Sequence, residues 1–275
     1  MKQIKTLMVA ALTLVMGVMM TSCLNSDGGE SLYDWAGIVR VYSSMGNPYF
    51  VDSAGNKLFP TTLSVSAIEQ AGVKFSDSKI ALVYVKLVED TENGATGLAT
   101  EGTTPQSYDV ELVGAQTLDG EPVVTAYSQE AMDEQAPETS PVGTLSFFDN
   151  WGGVMDAYLF DLDMLMVPIQ FYLTNDTEKF KLHKLYLACN MEEVMEGSTE
   201  LVFYLRHDRG SDEGASVPYS QWYGYDISSA VRQFAAKAGA NPTKIVIKAH
   251  EAPATTTIPE TYKTYEVEYK LSTQN

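Results

Sequence analysis

Residues 264–271 read TYEVEYKL, with Tyr265, Val267, Tyr269 and Leu271 alternating with Thr264, Glu266, Glu268 and Lys270. Successive side chains of an extended backbone point to opposite faces, so the pattern specifies a strand with one face buried. Extended runs fill much of the chain, whereas helical periodicity is confined to one stretch. The fold class is therefore all-β.

The runs fall into two sets. DWAGIVRVYS (34–43), PYFVDSAGNKLFPTT (48–62), KIALVYVKLVE (79–89) and QSYDVELVGA (106–115) are short, closely spaced and interrupted by glycines. The second holds a hairpin signal at Ser-Ala-Gly-Asn. The third, nearly continuous in β-branched and aromatic residues, reads as a strand buried on both faces. Strands of this kind suit a small closed β-barrel over residues 32–128. Residues 129–141, QEAMDEQAPETSP, hold four acids, two prolines and no base. Too poor in apolar residues to order itself, this stretch reads as an acidic linker between domains. Seven further runs, from GTLSFFD to YKTYEVEYK, give an antiparallel β-sandwich over residues 142–275. Its one short helix is expected within 226–239. There Ile227, Ala230, Val231, Phe234, Ala235 and Ala238 fall at helical spacing, between a candidate N-cap, Asp226, and the terminators Gly239 and Pro242.

Residues 1–22 read as a signal peptide. Lys2 and Lys5 precede a 14-residue apolar run, LMVAALTLVMGVMM, and a spanning helix takes about 20 such residues. MTSC (20–23) resembles a bacterial lipobox, in which small residues precede a cysteine that is acylated and becomes the new N-terminus. Cys23 is therefore the expected lipid attachment site, with palmitate-type chains as the link to a membrane. Residues 23–31 form a polar, flexible tether. Its Asp27 and Glu30 resemble the acidic stretch that marks surface export in lipoproteins of the Bacteroidota, so the expected location is the outer membrane, facing outward.

Cleavage before Cys23 leaves 253 residues carrying 16 basic and 36 acidic side chains, a formal charge of −20. Such a surface repels a polyanion, which excludes nucleic acid as a partner. With Cys23 acylated, Cys189 is the one remaining thiol and no intrachain disulfide can form. At the end of KLHKLYLAC it reads as a small buried hydrophobe.

YLRHDRGSDEGA (204–215) gathers the densest chemistry in the chain. If the strand runs from Thr199 to Asp208, alternation puts Leu201, Phe203, Leu205 and His207 on one face. Val202, Tyr204, Arg206 and Asp208 take the other. Arg206 and Asp208 are then same-face neighbours about 7 Å apart and within reach of an ion pair, while His207 points away from both. The acidic run behind them lacks the ligand spacing of an EF-hand, which leaves only a loose cation site from Asp208, Asp212 and Glu213. Asp161 and Asp163 in DAYLFDLDM share one face of a presumed strand, the paired-carboxylate arrangement of glycoside hydrolysis. Same-face acids two apart are equally ordinary on a solvated sheet. His183, His207 and His250 each fall in a different strand, where a lone histidine is usually structural. Tyr219, Trp222, Tyr223 and Tyr225 cluster before the helix, and Trp222, Tyr223 and Tyr225 are candidate sugar contacts. DSA (52–54) fits the O-glycosylation pattern of exported Bacteroidota proteins, with Ser53 as the acceptor; the alternative is a hairpin turn.

The lipobox, YFVDSAGNKLFP, LHKLYLAC, and LVFYLRHDRGSDEG followed by WYGYDIS together resemble the NigD-like lipoproteins of Bacteroidota. The resemblance covers nearly the whole mature chain. It implies an N-terminal OB-like barrel, a C-terminal β-sandwich, and a role in bacteriocin immunity. Motifs for hydrolysis, phosphate binding or zinc catalysis are missing from the sequence. The expected function is therefore a non-enzymatic envelope lipoprotein with a binding or structural role, without cofactor or metal, tethered to a membrane and meeting a protein or glycan partner. A surface glycan-binding lipoprotein is the alternative, and a hydrolase the second alternative.

Overall fold

The computed structural model describes residues 32–44, 46–88, 98, 104–148 and 153–270. The expected signal peptide, Cys23 and the expected tether lie outside them. The chain divides into two compact units, Met1–Thr117 and Leu118–Asn275. Among the described residues no helix is long and apolar enough to cross a membrane.

Unit 1 is a closed barrel. Strands β1 (Trp35–Ser44), β2 (Asn47–Val51), β3 (Lys57–Pro60), β4 (Ile80–Leu87) and β5 (Ser107–Thr117) close in the order β1-β2-β3-β5-β4, with β4 pairing back to β1. β3 and β5 run parallel and the other pairs antiparallel. The β2–β3 hairpin follows from Asp52 and Asn56. Asp52 accepts from Asn56 N and Nδ2, each at 2.8 Å, and Gly55 takes φ +85°, a conformation that suits glycine. Between β3 and β4 lies α1 (Thr62–Gln70), capped by Thr61, whose side chain accepts from Ser64 N. Val65 of α1 joins Val39, Phe50, Leu58, Val83, Val85 and Val110 in the barrel core. β4 is buried chiefly on its inner face: Ala81, Val83 and Val85 are sealed, Leu82 and Tyr84 are half-buried and Lys86 is exposed. The expectation of burial on both faces is thus corrected, because a barrel strand turns only one face inward.

Unit 2 packs two sheets against each other. One is antiparallel, in the order β13-β10-β9. The other is mixed, in the order β15-β14-β12-β11-β6. In chain order these are β6 (Val124–Ala126), β9 (Tyr158–Asp161), β10 (Met164–Leu173), β11 (Lys184–Asn190), β12 (Glu200–Asp208), β13 (Val217–Asp226), β14 (Lys244–Ala249) and β15 (Lys263–Glu268). A small hairpin, β7 (Phe147–Phe148) with β8 (Val154–Met155), lies between β6 and β9. Two pairings, β11 with β6 and β12 with β14, are parallel, where a wholly antiparallel sandwich was expected. For β12 with β14 the reason is the crossover through β13 and α4 (Ser228–Ala238), which brings the chain back parallel to β12. Ala230, Val231, Phe234 and Ala238 of α4 are buried with Val167, Phe171, Leu187, Phe203, Leu205 and Ile247 in one core. The cap of α4 departs from expectation by one residue: Ile227 is the N-cap, and Asp226 accepts from Ser228 N at 3.0 Å. Pro168 sits mid-strand in β10 without breaking the sheet, because β9 pairs only as far as Met166.

The stretch expected to be a linker is ordered structure within unit 2. Residues Gln129–Gln135 form α2, capped by the Ser128 hydroxyl, and Met132 is fully buried with Ala136 against Ala188 and Tyr204. A short helix needs little apolar surface of its own when one methionine is enough to anchor it. The division between units falls at Thr117/Leu118, ahead of the expected boundary at 129–141.

Candidate functional site

β11 and β12 are antiparallel, with Leu185 opposite His207 and Lys184 opposite Asp208. Alternation puts His183 and Leu185 on one face, so the His183 ring reaches His207 diagonally across the pair. Nδ1 of His183 lies 2.8 Å from Nε2 of His207, and His207 Nδ1 donates to Pro141 O at 3.0 Å. His183 Nε2 lies 3.1 Å from Oδ2 of Asp212. Asp212 also accepts from Thr174 N, Thr174 Oγ1 and Gly214 N. The side chains of His183 and Asp212 are each 1% exposed. Burial pushes the Asp212 carboxyl up, but these hydrogen bonds outweigh it and hold the group well below the usual carboxylate range. Burial pushes His207 down to about 4, an effect that its bond to Pro141 O only partly opposes.

His207 therefore points away from Arg206 and Asp208, as strand alternation requires, and lies against Phe171 in the core. The expected Arg206–Asp208 pair does not form. Arg206 turns to α2 and the segment after it, donating from Nη1 to Asp133 Oδ1 at 2.6 Å and to Ala136 O at 3.1 Å. Asp208 accepts from Thr139 Oγ1 and Gly210 N. His250 at the end of β14 lies 3.0 Å from both oxygens of Glu138 and stacks on Tyr262. Two of the four acids of 129–141, Asp133 and Glu138, thus find bases on β12 and at the end of β14. YLRHDRGSDEGA is the clamp that receives this segment: Arg206 takes Asp133, His207 takes Pro141, and Asp208 takes Thr139.

All four ring nitrogens of His183 and His207 are engaged within the protein. What the arrangement does chemically is fix loops and hold protons. Among the described residues, no three His, Cys, Asp or Glu side chains come together as metal ligands, and Asp212 faces His183 rather than a cation site with Asp208 and Glu213. Asp161 ends β9 and accepts from Asp163 N at 2.8 Å, so this pair closes the β9–β10 turn instead of lining one strand face. Burial pushes the Cys189 thiol up to about 12, in keeping with a buried hydrophobe.

The three candidate sugar contacts lie on β13 and separate by face. Tyr225 is sealed in the core and donates to Leu185 O at 3.0 Å, and Tyr223 packs against the same core. Trp222 takes the opposite face, half-buried and edge-on to Tyr158. Ser53 is exposed at the tip of the β2–β3 hairpin. The histidine pair was missed in the sequence because the register that joins β11 to β12 is not local. Its one signal was that His183 and His207 both fall on the apolar side of their strands, where a polar ring must find a partner.

A closed barrel followed by a two-sheet sandwich makes the chain a two-unit all-β protein. No family model and no curated protein matches the chain. Solved structures do. A proposed lipoprotein from Bacteroides fragilis is 25% identical, with 86% of this chain and 98% of that one covered at a TM-score of 0.68. A NigD-like immunity protein from Bacteroides caccae is 13% identical over 84% of this chain and 96% of that one, with a TM-score of 0.51. A protein of unknown function from Bacteroides vulgatus is 12% identical over 87% and 92%, with a TM-score of 0.50. These structures share the two-unit all-β fold of the chain.

Proposed function

We propose that the chain is an envelope lipoprotein, anchored through Cys23 at the outer membrane and facing outward, that protects its cell by binding a toxin rather than by catalysis. The observation that carries this reading is the commitment of His183, His207, His250, Asp212 and Glu138 to partners inside unit 2. The residues richest in chemistry hold the fold. The description of the neighbour from Bacteroides caccae as a NigD-like immunity protein supports protection as the role. In a toxin-sensitive strain, expression of the chain should confer survival, and the chain should retain the toxin on pull-down from outer membranes. Unchanged killing together with no retained toxin overturns the reading. Cys23→Ala should lose palmitate labelling and move to the soluble fraction; an unlabelled wild-type chain sinks the anchor.

A glycan-binding surface is the second reading, and Trp222 supports it as the one sugar-contact candidate not turned to the core. Trp222→Ala should weaken retention on a polysaccharide that a glycan array identifies; a silent array removes the reading. Exposure of Ser53 at a hairpin tip supports its O-glycosylation. A glycan mass present in the wild type and missing from Ser53→Ala is the expected result, and an unmodified wild type overturns it.

A further inference from the structure

Two fixed acceptors and four ring nitrogens set a proton count in unit 2. Asp212 takes donors on both oxygens, from Thr174 N, Thr174 Oγ1, Gly214 N and His183, as an ionised carboxylate does. Nε2 of His183 therefore carries a hydrogen. At the other end Pro141 O can only accept, so Nδ1 of His207 carries one as well. Between them two ring nitrogens lie 2.8 Å apart. Two bare lone pairs at that distance repel, so one of the nitrogens bears a third hydrogen. Three hydrogens on two imidazoles amount to one positive charge.

We propose that His183 and His207 together hold one buried excess proton, that Asp212 is its counter-ion, and that this charge pair locks the acidic loop, residues 209–214, onto the sheet. The loop has few other ties. They are Arg209 N to Thr139 Oγ1, Gly210 N to Asp208 Oδ1, and Lys179 of α3 (Thr177–Phe180) to Ser211 O, while Arg209 Nη1 donates within the loop to Asp212 O. The charged groups around the pair are Asp208 and Arg209 at the end of β12, Lys184 next to His183, and Asp119 and Glu121, which share a cleft with His183. β10 contributes Phe171 and, just after the strand, Thr174, which carry no charge, and β13 contributes Tyr219, which packs on Phe171. The low proton affinity of buried His207 puts the excess proton on the His183 side, against Asp212. An odd proton makes the lock fail in both directions. Adding one sets two cations against each other, and removing one sets two lone pairs against each other.

Long-range proton–nitrogen spectra of the full chain labelled at histidine, at neutral pH, test the count. With the His250 ring assigned by its loss in His250→Gln, the expected result for His183 and His207 is one imidazole protonated on both nitrogens and one protonated only on Nδ1. Two neutral rings overturn the proposal. Hydrogen exchange tests the lock. In Asp212→Asn the amides of Gly214 and Thr174 should exchange roughly tenfold faster relative to core amides such as Phe203. Unchanged relative protection at both amides overturns it. The spectra are recorded on the wild type, so a failure of the variant to fold leaves that test standing.

Discussion

Arg206 donates from Nη1 to Asp133 across 73 positions of sequence, and the two ends of this bond are unequally exposed. The Arg206 side chain is 6% exposed and that of Asp133 56%. Asp133→Ala therefore leaves a buried guanidinium short of its carboxylate, a more serious loss than removal of a surface aspartate. Since Asp133 is half in water, the expected cost is about 1–3 kcal/mol rather than the full penalty of a buried pair. Urea denaturation measures it. A change under about 0.5 kcal/mol, together with ready proteolysis at 129–141, would restore the linker reading.

Acid should weaken the fold before ordinary carboxylates titrate. The folded value of His207, about 4, lies below its ordinary 6.5. The unfolded chain then takes up the proton first, so this stability is whole above about pH 6.5 and is lost progressively down to about pH 4. The loss is roughly 3 kcal/mol. Asp212, held below its ordinary value, has the same sign: its contribution is present above about pH 4 and falls away at still lower pH. Glu138 opposes both, because burial raises its value and the folded chain gains its proton first. Urea midpoints at pH 7, 5.5 and 4 should decline for the wild type and decline less for His207→Gln. A flat wild-type series contradicts the burial of a neutral His207.

Much of the fold was legible because its signals are local. Period-two alternation placed Leu205 inward and Arg206 outward on β12, and Gly55 beside Asp52 announced the β2–β3 turn. The clamp was not legible. Asp133 and Arg206 are joined only after β12 and α2 have been placed on the same sheet face, and nothing near Glu138 names His250 as its partner. The composition of 129–141 misled for the same reason: its missing bases and most of its apolar contacts come from elsewhere in unit 2.

Cys189 should resist thiol reagents in the native protein. Its side chain is buried and its proton tightly held, with the value pushed up to about 12. The thiolate that reacts is then scarce at neutral pH. Labelling with a maleimide should proceed only in denaturant, and fast native labelling would show that this part of the core opens.

Gly120 supports the Tyr225 ring. A Cβ added there would lie 2.3 Å from the ring, which is fully buried and tied by its hydroxyl to Leu185 O. Gly120→Ala should cost about 1–3 kcal/mol through overpacking. Tyr225→Phe should cost about 1 kcal/mol through the stranded carbonyl. Thermal melts of the two variants check both values, and a neutral Gly120→Ala would mean that the Asp119–Glu121 segment moves freely.

The Glu138–His250 contact spans 112 positions. During synthesis α2 and the segment behind it leave the ribosome long before β14 exists to receive them. Until then Met132 has only part of its eventual surface, and the mixed sheet lacks the strand that joins β12 to β15. Contacts so distant in sequence form late and slowly. A chaperone that holds the nascent chain would therefore act on unit 2, and a truncation that removes β14 and β15 would expose Glu200–Leu205 of β12 as a sticky edge.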